Sequence, residues 1–523
     1  MTRPRKVMAT EPQGRADVAT GATLARGAFF NAVAFLASSL RGIFILLVAR
    51  LLGSAVLGTF VLAWSITDLV SKLATLGLDI STMAVVARTE ARGDRAASRQ
   101  IMNASLMIAL GASVLLAGLG FWGTWRLGPR LGREPELVRA TAVTLLALPG
   151  IALYRVANGL SRGMTVMHHD IYSRGLTESL GTTAALVVAM AFGLRQLAPE
   201  IAAIAGTLAS GCVAVACARR LYAPIPGAAA EPPARGMVWT LLRASAPIAL
   251  YDLINVGVMQ IDVIMLGLYV GHVRGLSLET LGIYAAGVEV ATGLRKISQI
   301  FLPIFAPVVA RQIAEGEMRR AEASSGYLAR WMLAVMLPFV AVLALSGGVI
   351  MTIFGEAFRR GGPWMAIVAV ACALNAFALL GETILMVERP GVNLFNSAVA
   401  FGAVIGVDLL LIPAFGPFGA ALGMVVPYAI QTVLRAMQIS WLFNWSWPWH
   451  AMIKPWVAAL AALPLALLMR LSAQGMVSEL ASALVYLAGY LAAWRLIGLD
   501  PNDQAVFAHF RIRRARVVKF PIA

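Results

Sequence analysis

The chain has 523 residues, of which 59% are hydrophobic and only 13% charged, with 43 Lys and Arg against 26 Asp and Glu. So apolar a composition excludes a soluble enzyme and indicates an integral membrane protein. The formal charge of +17 does not indicate nucleic acid, because the basic residues stand in small groups between apolar runs and never form one stripe.

The first residues, MTRPRKVMATEPQGR, are polar and basic, and the apolar run after Gly27 is too long and lacks a small-residue cleavage site, so a short cytoplasmic arm is expected in place of a removed signal. Apolar runs long enough to cross a bilayer follow at 27–49, 56–76, 101–122, 137–157, 176–192 and 201–218. The linker RRLYAPIPGAAAEPPARG, residues 219–236, is rich in Pro, Ala and Gly and suits a connection between two halves. Beyond it stand 245–270, 281–309, 327–354, 364–386, 392–412 and 418–442, and two more runs, 451–469 and 477–494, close the set. The expected architecture is therefore an all-α polytopic membrane protein of about 14 transmembrane helices, two six-helix bundles plus two C-terminal helices. Its parts are an N-terminal arm (1–26), an N-lobe (27–218), a linker (219–240), a C-lobe (241–444), the last two helices (445–497) and a basic tail (498–523).

With the N-terminal arm placed in the cytoplasm, about 29 Lys and Arg fall on that side against about 10 on the other, a bias of the kind that fixes topology. Both termini are then cytoplasmic, and the outer loops are too short to hold a folded domain. Cys212, Cys217 and Cys372 all lie in apolar segments without CxxC spacing and are expected to be packing residues. His168 and His169 precede Asp170 in a basic connection and suggest interfacial solvation in place of a metal site. Trp441, Trp445, Trp447 and Trp449 suggest an interfacial aromatic belt.

In the second span Ser65, Asp68, Lys72, Thr75 and Asp79 recur at steps of three or four and so share one helical face. Charges inside a bilayer are costly and normally face a protein interior or a water-filled path. The stripe is therefore expected to point inward. Leu57, Gly58, Phe60 and Lys72 recur as Leu281, Gly282, Tyr284 and Lys296 at a constant shift of 224, and Glu289, Thr292, Lys296 and Gln299 take the places of Ser65, Asp68, Lys72 and Thr75. A weaker echo sets Asn31, Ser38 and Arg41 of the first span against Asp252, Met259 and Asp262 of the seventh. Two six-span halves of equal orientation make a parallel repeat, which can rock about a central cavity.

The cations Arg41, Lys72, Arg295 and Lys296 are the candidate contacts for a phosphate or diphosphate, Arg by bidentate hydrogen bonding and Lys as a point charge. Internal pairing, such as Asp68 with Lys72 four residues on, is the competing reading. Asp68, Asp252, Asp262 and Glu289 are candidates for cavity lining or for coupling to H+ or Na+. Glu178, Glu382 and Asp408 are weaker candidates, the last two because they sit near span ends. No nucleotide loop, HExxH or nucleophile elbow occurs, so neither ATP hydrolysis nor a metal site is expected.

The stretch VARLLGSAVLGTFVLAWSITDLVSKLATLGLD, the LGIYAAG after QIDVIMLG, IFGEAF at the end of the ninth span and IPAFGPFGAALG entering the twelfth resemble the polysaccharide-transport (Wzx-type) branch of the multidrug/oligosaccharidyl-lipid/polysaccharide (MOP) exporter superfamily. The resemblance covers most of the chain, from about Gly21 to Arg470, on degenerate glycines and aliphatics. It implies two bundles around a V-shaped cavity, and a flippase carrying an undecaprenyl-diphosphate-linked oligosaccharide across a bacterial inner membrane. Membrane lipids and a polysaccharide polymerase or export machinery are the implied partners, with no cofactor. The two extra C-terminal spans are also similar to the lipid II flippase branch, whose first span carries several arginines where this chain has only Arg41 inside. A multidrug exporter would favour an acidic, aromatic cavity, and a polytopic glycosyltransferase would need a sizeable outer loop.

Overall fold

The computed structural model describes residues 41–222, 235–446, 449–472 and 475–497. The N-terminal arm, Asn31 and Ser38, most of the linker, Trp447 and the basic tail lie outside the described residues. Among the described residues the chain is helical, with no strand. It enters in α1 (residues 41–52) and continues through α2 (Ser54–Thr75), α3 (Leu78–Ala91), α4 (Arg95–Leu127), α5 (Pro135–Thr144), α6 (Leu148–Gly163) and the short α7 (His168–Asp170). A π-helical turn, Ile171–Glu178, leads into α8 (Ser179–Ala191), and α9 (Ala198–Leu221) ends before the linker. Then come α10 (Arg235–Tyr269), α11 (Leu278–Thr292), α12 (Arg295–Ala314), α13 (Met318–Met351), α14 (Gly362–Glu388), α15 (Pro390–Phe415) and α16 (Pro417–Phe443), followed by α17 (Trp449–Ser472) and α18 (Met476–Ile497).

Eleven stretches of the described residues are long and apolar enough to cross a membrane, and each corresponds to one of the expected spans. Three expected spans do not appear among them, for local reasons. The first lies mostly outside the described residues, and the fifth is divided between the π-helical turn and the 13-residue α8. The eighth bends at Gly293–Leu294, where amide-to-carbonyl bonds Gly293→Val290 and Leu294→Ala291 tighten to a spacing of three residues and split the helix into α11 and α12. The fourth span changes pitch too, passing from α5 through a 3-10 turn, Leu145–Ala147, to α6, where Pro149 occupies the first turn.

Chain contacts divide the molecule into two compact units. One comprises the described parts of Met1–Phe44, Ala74–Gly118 and Leu146–Ala246; the other comprises those of Ile45–Leu73, Leu119–Leu145 and Pro247–Ala523. In the first unit α6 packs on α3 and α9, and α8 on α9. Asn158, nearly fully buried, donates to Asp170 Oδ1 (2.8 Å) and Ser173 Oγ (3.0 Å), fastening α6 to the π-helical turn.

The second unit has a long apolar core in which Leu328, Met332 and Met336 of α13 meet Ala376, Leu380 and Ile384 of α14 and Ile439 of α16. Trp445 is buried in this core, so it is no part of an interfacial belt, whereas Trp441 is exposed. Alanines 458, 462 and 466 of α17 meet Ala483 of α18, small residues that let membrane helices approach closely in the absence of a water-driven force. Tyr490 ties α18 to α13 by donating to the Ala334 carbonyl at 2.8 Å. Of the cysteines Cys372 is buried, Cys217 half-buried and Cys212 exposed.

The shift of 224 has a structural counterpart in this unit. A Cβ added to Gly58 would overlap the Leu278 carbonyl oxygen, and one added to Gly282 would overlap the Ser54 carbonyl oxygen. Since 54 and 278, like 58 and 282, are related by the repeat, α2 and α11 cross through a reciprocal backbone contact that only glycine permits.

Candidate functional site

The polar stripe of α2 ends earlier than its spacing predicts. Leu76 and Gly77 take left-handed φ values of 51° and 71°, so the helix stops at Thr75 and Asp79 belongs to α3. Asp79 is therefore off the stripe, because a left-handed corner destroys the 100° register on which the shared face depends.

The remaining stripe meets α10 in antiparallel register. Ser65 Oγ donates to Gln260 Oε1 (2.9 Å), Gln260 Nε2 donates to Asp68 Oδ2 (3.2 Å), and Lys72 Nζ pairs with Asp252 Oδ2 at 2.5 Å. The pair is half-sheltered, with 12% and 21% of the two side chains exposed. Lys72 thus has its ion partner on another helix, beyond the within-helix pairing that its distance from Asp68 suggests.

Beside Asp252, Tyr251 donates to Glu382 Oε1 at 2.6 Å, and the other carboxylate oxygen of Glu382 lies 3.0 Å from Arg435 Nη2. Arg435 is 1% exposed and also donates to the Ala378 carbonyl at 2.8 Å. Glu382, set aside in the sequence for its place near a span end, is the hub that joins α10, α14 and α16. Arg435 was missed altogether. Its signal was present, since Gln431, Arg435 and Gln438 recur at steps of four and three in α16, and Gln438 exchanges two hydrogen bonds with Asn396 of α15 (2.6 and 2.8 Å).

Higher on α10, Asp262 accepts from Tyr284 Oη of α11 at 2.6 Å, and its other oxygen has no partner among the described residues. Asp408 of α15 is fully buried against Gly423 of α16, with neither oxygen partnered among the described residues, and its charge and that of Asp262 are near enough to interact. A side chain at 423 would collide with Asp408, so the glycine makes room for the carboxylate.

The other expected residues fall as follows. Arg295 opens α12 and places Nη2 3.1 Å from Met259 Sδ, a weak acceptor, in the same unit as Asp262. Lys296, half-buried, follows it. Glu289 is half-buried on α11. Arg41 lies in the first unit, exposed, where its charge acts on Glu178. His169 accepts or donates at Ser161 Oγ (2.9 Å), and burial together with His168 holds it below the ordinary histidine range.

Comparison with known proteins bears on this arrangement. The profile of the polysaccharide biosynthesis protein family matches residues 24–311, more than half of the chain. A probable low-salt glycan biosynthesis flippase, Agl15 of Haloferax volcanii, is 23% identical over 181 residues, a stretch that spans 34% of this chain and 37% of that relative. Among solved structures, lipid II flippase MurJ in an inward closed conformation superposes with a TM-score of 0.68 at 13% identity, covering 90% of this chain and 98% of its own. An inward-facing multidrug resistance MATE transporter of the MOP superfamily gives 0.64 at 16% identity, covering 79% and 96%. The fold is thus that of the MOP superfamily.

Proposed function

We propose that this chain, which belongs to the polysaccharide biosynthesis protein family, is a flippase that carries an undecaprenyl-diphosphate-linked oligosaccharide from the cytoplasmic to the periplasmic face of a bacterial inner membrane by alternating access. The observation that carries this reading is the Lys72–Asp252 pair at 2.5 Å, a charge pair between two membrane helices of a chain with this family match. A half-sheltered ion pair can exchange partners. A diphosphate, with more charge than one carboxylate, draws Lys72 from Asp252 and leaves an acid whose protonation then stabilises the loaded state. Arg295, whose Nη2 lies against the weak acceptor Met259 Sδ, supplies the planar fork that grips phosphate oxygens. The polar ladder of Ser65, Gln260 and Asp68 offers groups for sugar hydroxyls.

With no nucleotide motif in the chain, an ion gradient, the membrane potential or product consumption drives the step, and for ion coupling the carboxylates Asp262 and Asp408 are the groups in this reading that take up a proton or a sodium ion. Both termini face the cytoplasm, membrane lipids surround the helices, and a polysaccharide polymerase or export machinery receives the product. The cargo of a lipid II flippase is the second reading, favoured by α17 and α18, since MurJ covers 90% of the chain against 79% for the MATE transporter.

The test is to delete the gene and analyse lipid-linked intermediates. Accumulation of complete lipid-linked oligosaccharide on the cytoplasmic face, relieved by wild-type protein but not by Lys72→Ala or Arg295→Ala present at equal membrane levels, supports the proposal. Accumulation of lipid II selects the second reading. Incomplete sugar chains indicate a transferase and refute both.

A further inference from the structure

A cavity of about 720 Å³ opens in the second unit where the ends of α13 and α17 meet the starts of α14 and α18. It owes its volume to sequence. Ser346 leaves helical geometry (φ −115°, ψ 17°) and bends α13, while Gly347, Gly348, Gly362, Ala344 and Ala357 line it without bulk. The size is within the range of small-ligand sites.

Its charged lining consists of three arginines and three glutamates, equal in number but unevenly placed. Glu479, 4% exposed, accepts from Arg359 Nη2 (3.1 Å), from Arg470 Nη2 (3.1 Å) and from the Val349 amide that the bend in α13 presents (2.8 Å). One carboxylate therefore faces two guanidinium groups. Arg360 is matched by Glu279 at 2.6 Å. Glu356 stands 3.9 Å from Arg359 with 71% of its side chain exposed, so it neutralises little. The lining is formally neutral and its asymmetry is local: Arg359 and Arg470, with five donors each, converge on the single carboxylate of Glu479.

We propose that this cavity is a docking site for the phosphate of an anionic lipid. Arginine forks match phosphate oxygens bidentately, and Arg359 and Arg470 are held ready by Glu479 at about one-third exposure (31% and 36%). The position selects a lipid over a free anion. The cavity lies at the ends of four membrane-crossing helices, the level of head groups, and Leu468 and Leu471 of α17 with Val477 and Leu484 of α18 leave an exposed apolar surface alongside for the chains. The ordinary phospholipid of the bilayer and, in the proposed reading, a cargo diphosphate reaching the outer face share this chemistry. The site itself does not depend on that reading.

The experiment uses the full chain in nanodiscs of phosphatidylglycerol or phosphatidylcholine, extracted into mild detergent and weighed intact by native mass spectrometry. The wild-type protein should keep one phosphatidylglycerol at least fivefold more often than phosphatidylcholine. Arg470→Gln should lose that preference, and Ala344→Phe, which adds bulk to the lining while keeping all three arginines, should lose it with an unchanged melting temperature. Equal retention of the two lipids, or full retention in Ala344→Phe, overturns the proposal even if Arg470→Gln fails to fold. Displacement of the lipid by millimolar inorganic phosphate makes the ligand a free anion and overturns the lipid assignment. Flipping is not measured, so failure here leaves the transport reading standing, and failure of transport leaves this site standing.

Discussion

α2 and the broken span α11–α12 carry matching sequence positions in different surroundings, since Lys296, the counterpart of Lys72, falls on α12 beyond the break at Gly293–Leu294. On α2, Ser65, Asp68 and Lys72 all bond to side chains of α10. On α11, a half-buried Glu289 holds the place of Ser65, and Thr292, in the place of Asp68, turns its hydroxyl back to the Glu289 carbonyl at 2.9 Å. What the two arms share is the glycine crossing, where fit is purely steric and backbone meets backbone. Repeat symmetry has thus been kept where close approach demands it and lost where an outside helix decides which polar group is useful.

The strongest test of the shared part is to fill the crossing. Gly58→Val and Gly282→Val should each cost about 3 kcal/mol or more, because the obstacle is a carbonyl oxygen that cannot rotate away. Equal losses in melting temperature for the two variants would confirm the reciprocity, and a harmless change at either would break it. Next in size is Lys72→Ala, which strands a half-sheltered Asp252 and should cost about 2 kcal/mol, less than for a fully buried pair. The double variant Lys72→Ala with Asp252→Asn should recover most of that loss in a thermal or denaturant melt.

Ser65→Ala removes one neutral hydrogen bond and leaves Gln260 Oε1 without its donor, an effect of about 1 kcal/mol in the same melts. Smallest is Glu289→Gln, a near-isosteric change at a half-buried position, expected to shift stability by less than about 0.5 kcal/mol. If Glu289→Gln destabilised the protein as much as Lys72→Ala, the contrast between the arms would be void. A loss of transport at unchanged stability would sharpen it, by assigning the second stripe to cargo or coupling.

Which features could be read early follows from the range of the forces involved. Apolar run length located eleven spans because the cost of burying an unpaired backbone in lipid acts on every segment alone. The corner at Leu76–Gly77 escaped because the 3.6-residue period assumes unbroken helical dihedrals, and a single Leu-Gly step in LATLGLD does not announce a positive φ. Trp445 reads as a belt residue from its tryptophan neighbours in sequence, yet its own surroundings are the α13–α14–α16 core. Arg435 and Glu382 were each legible as polar residues in apolar runs, but their value lies in meeting one another across 53 positions of sequence.

By itself the sequence determined that this is a helical membrane protein, where its spans run, that two of them repeat, and which side chains are too polar to face lipid. Those properties are local, fixed by hydrophobicity summed over some twenty residues and by helical periodicity. Only the tertiary structure decided that Lys72 belongs to Asp252, that Glu382 secures Arg435, that Asp262 and Asp408 share one interior, and that Gly58 and Gly282 answer each other. Pairing energies depend on distance in space, and a one-dimensional order of residues carries no distance between helices until they pack.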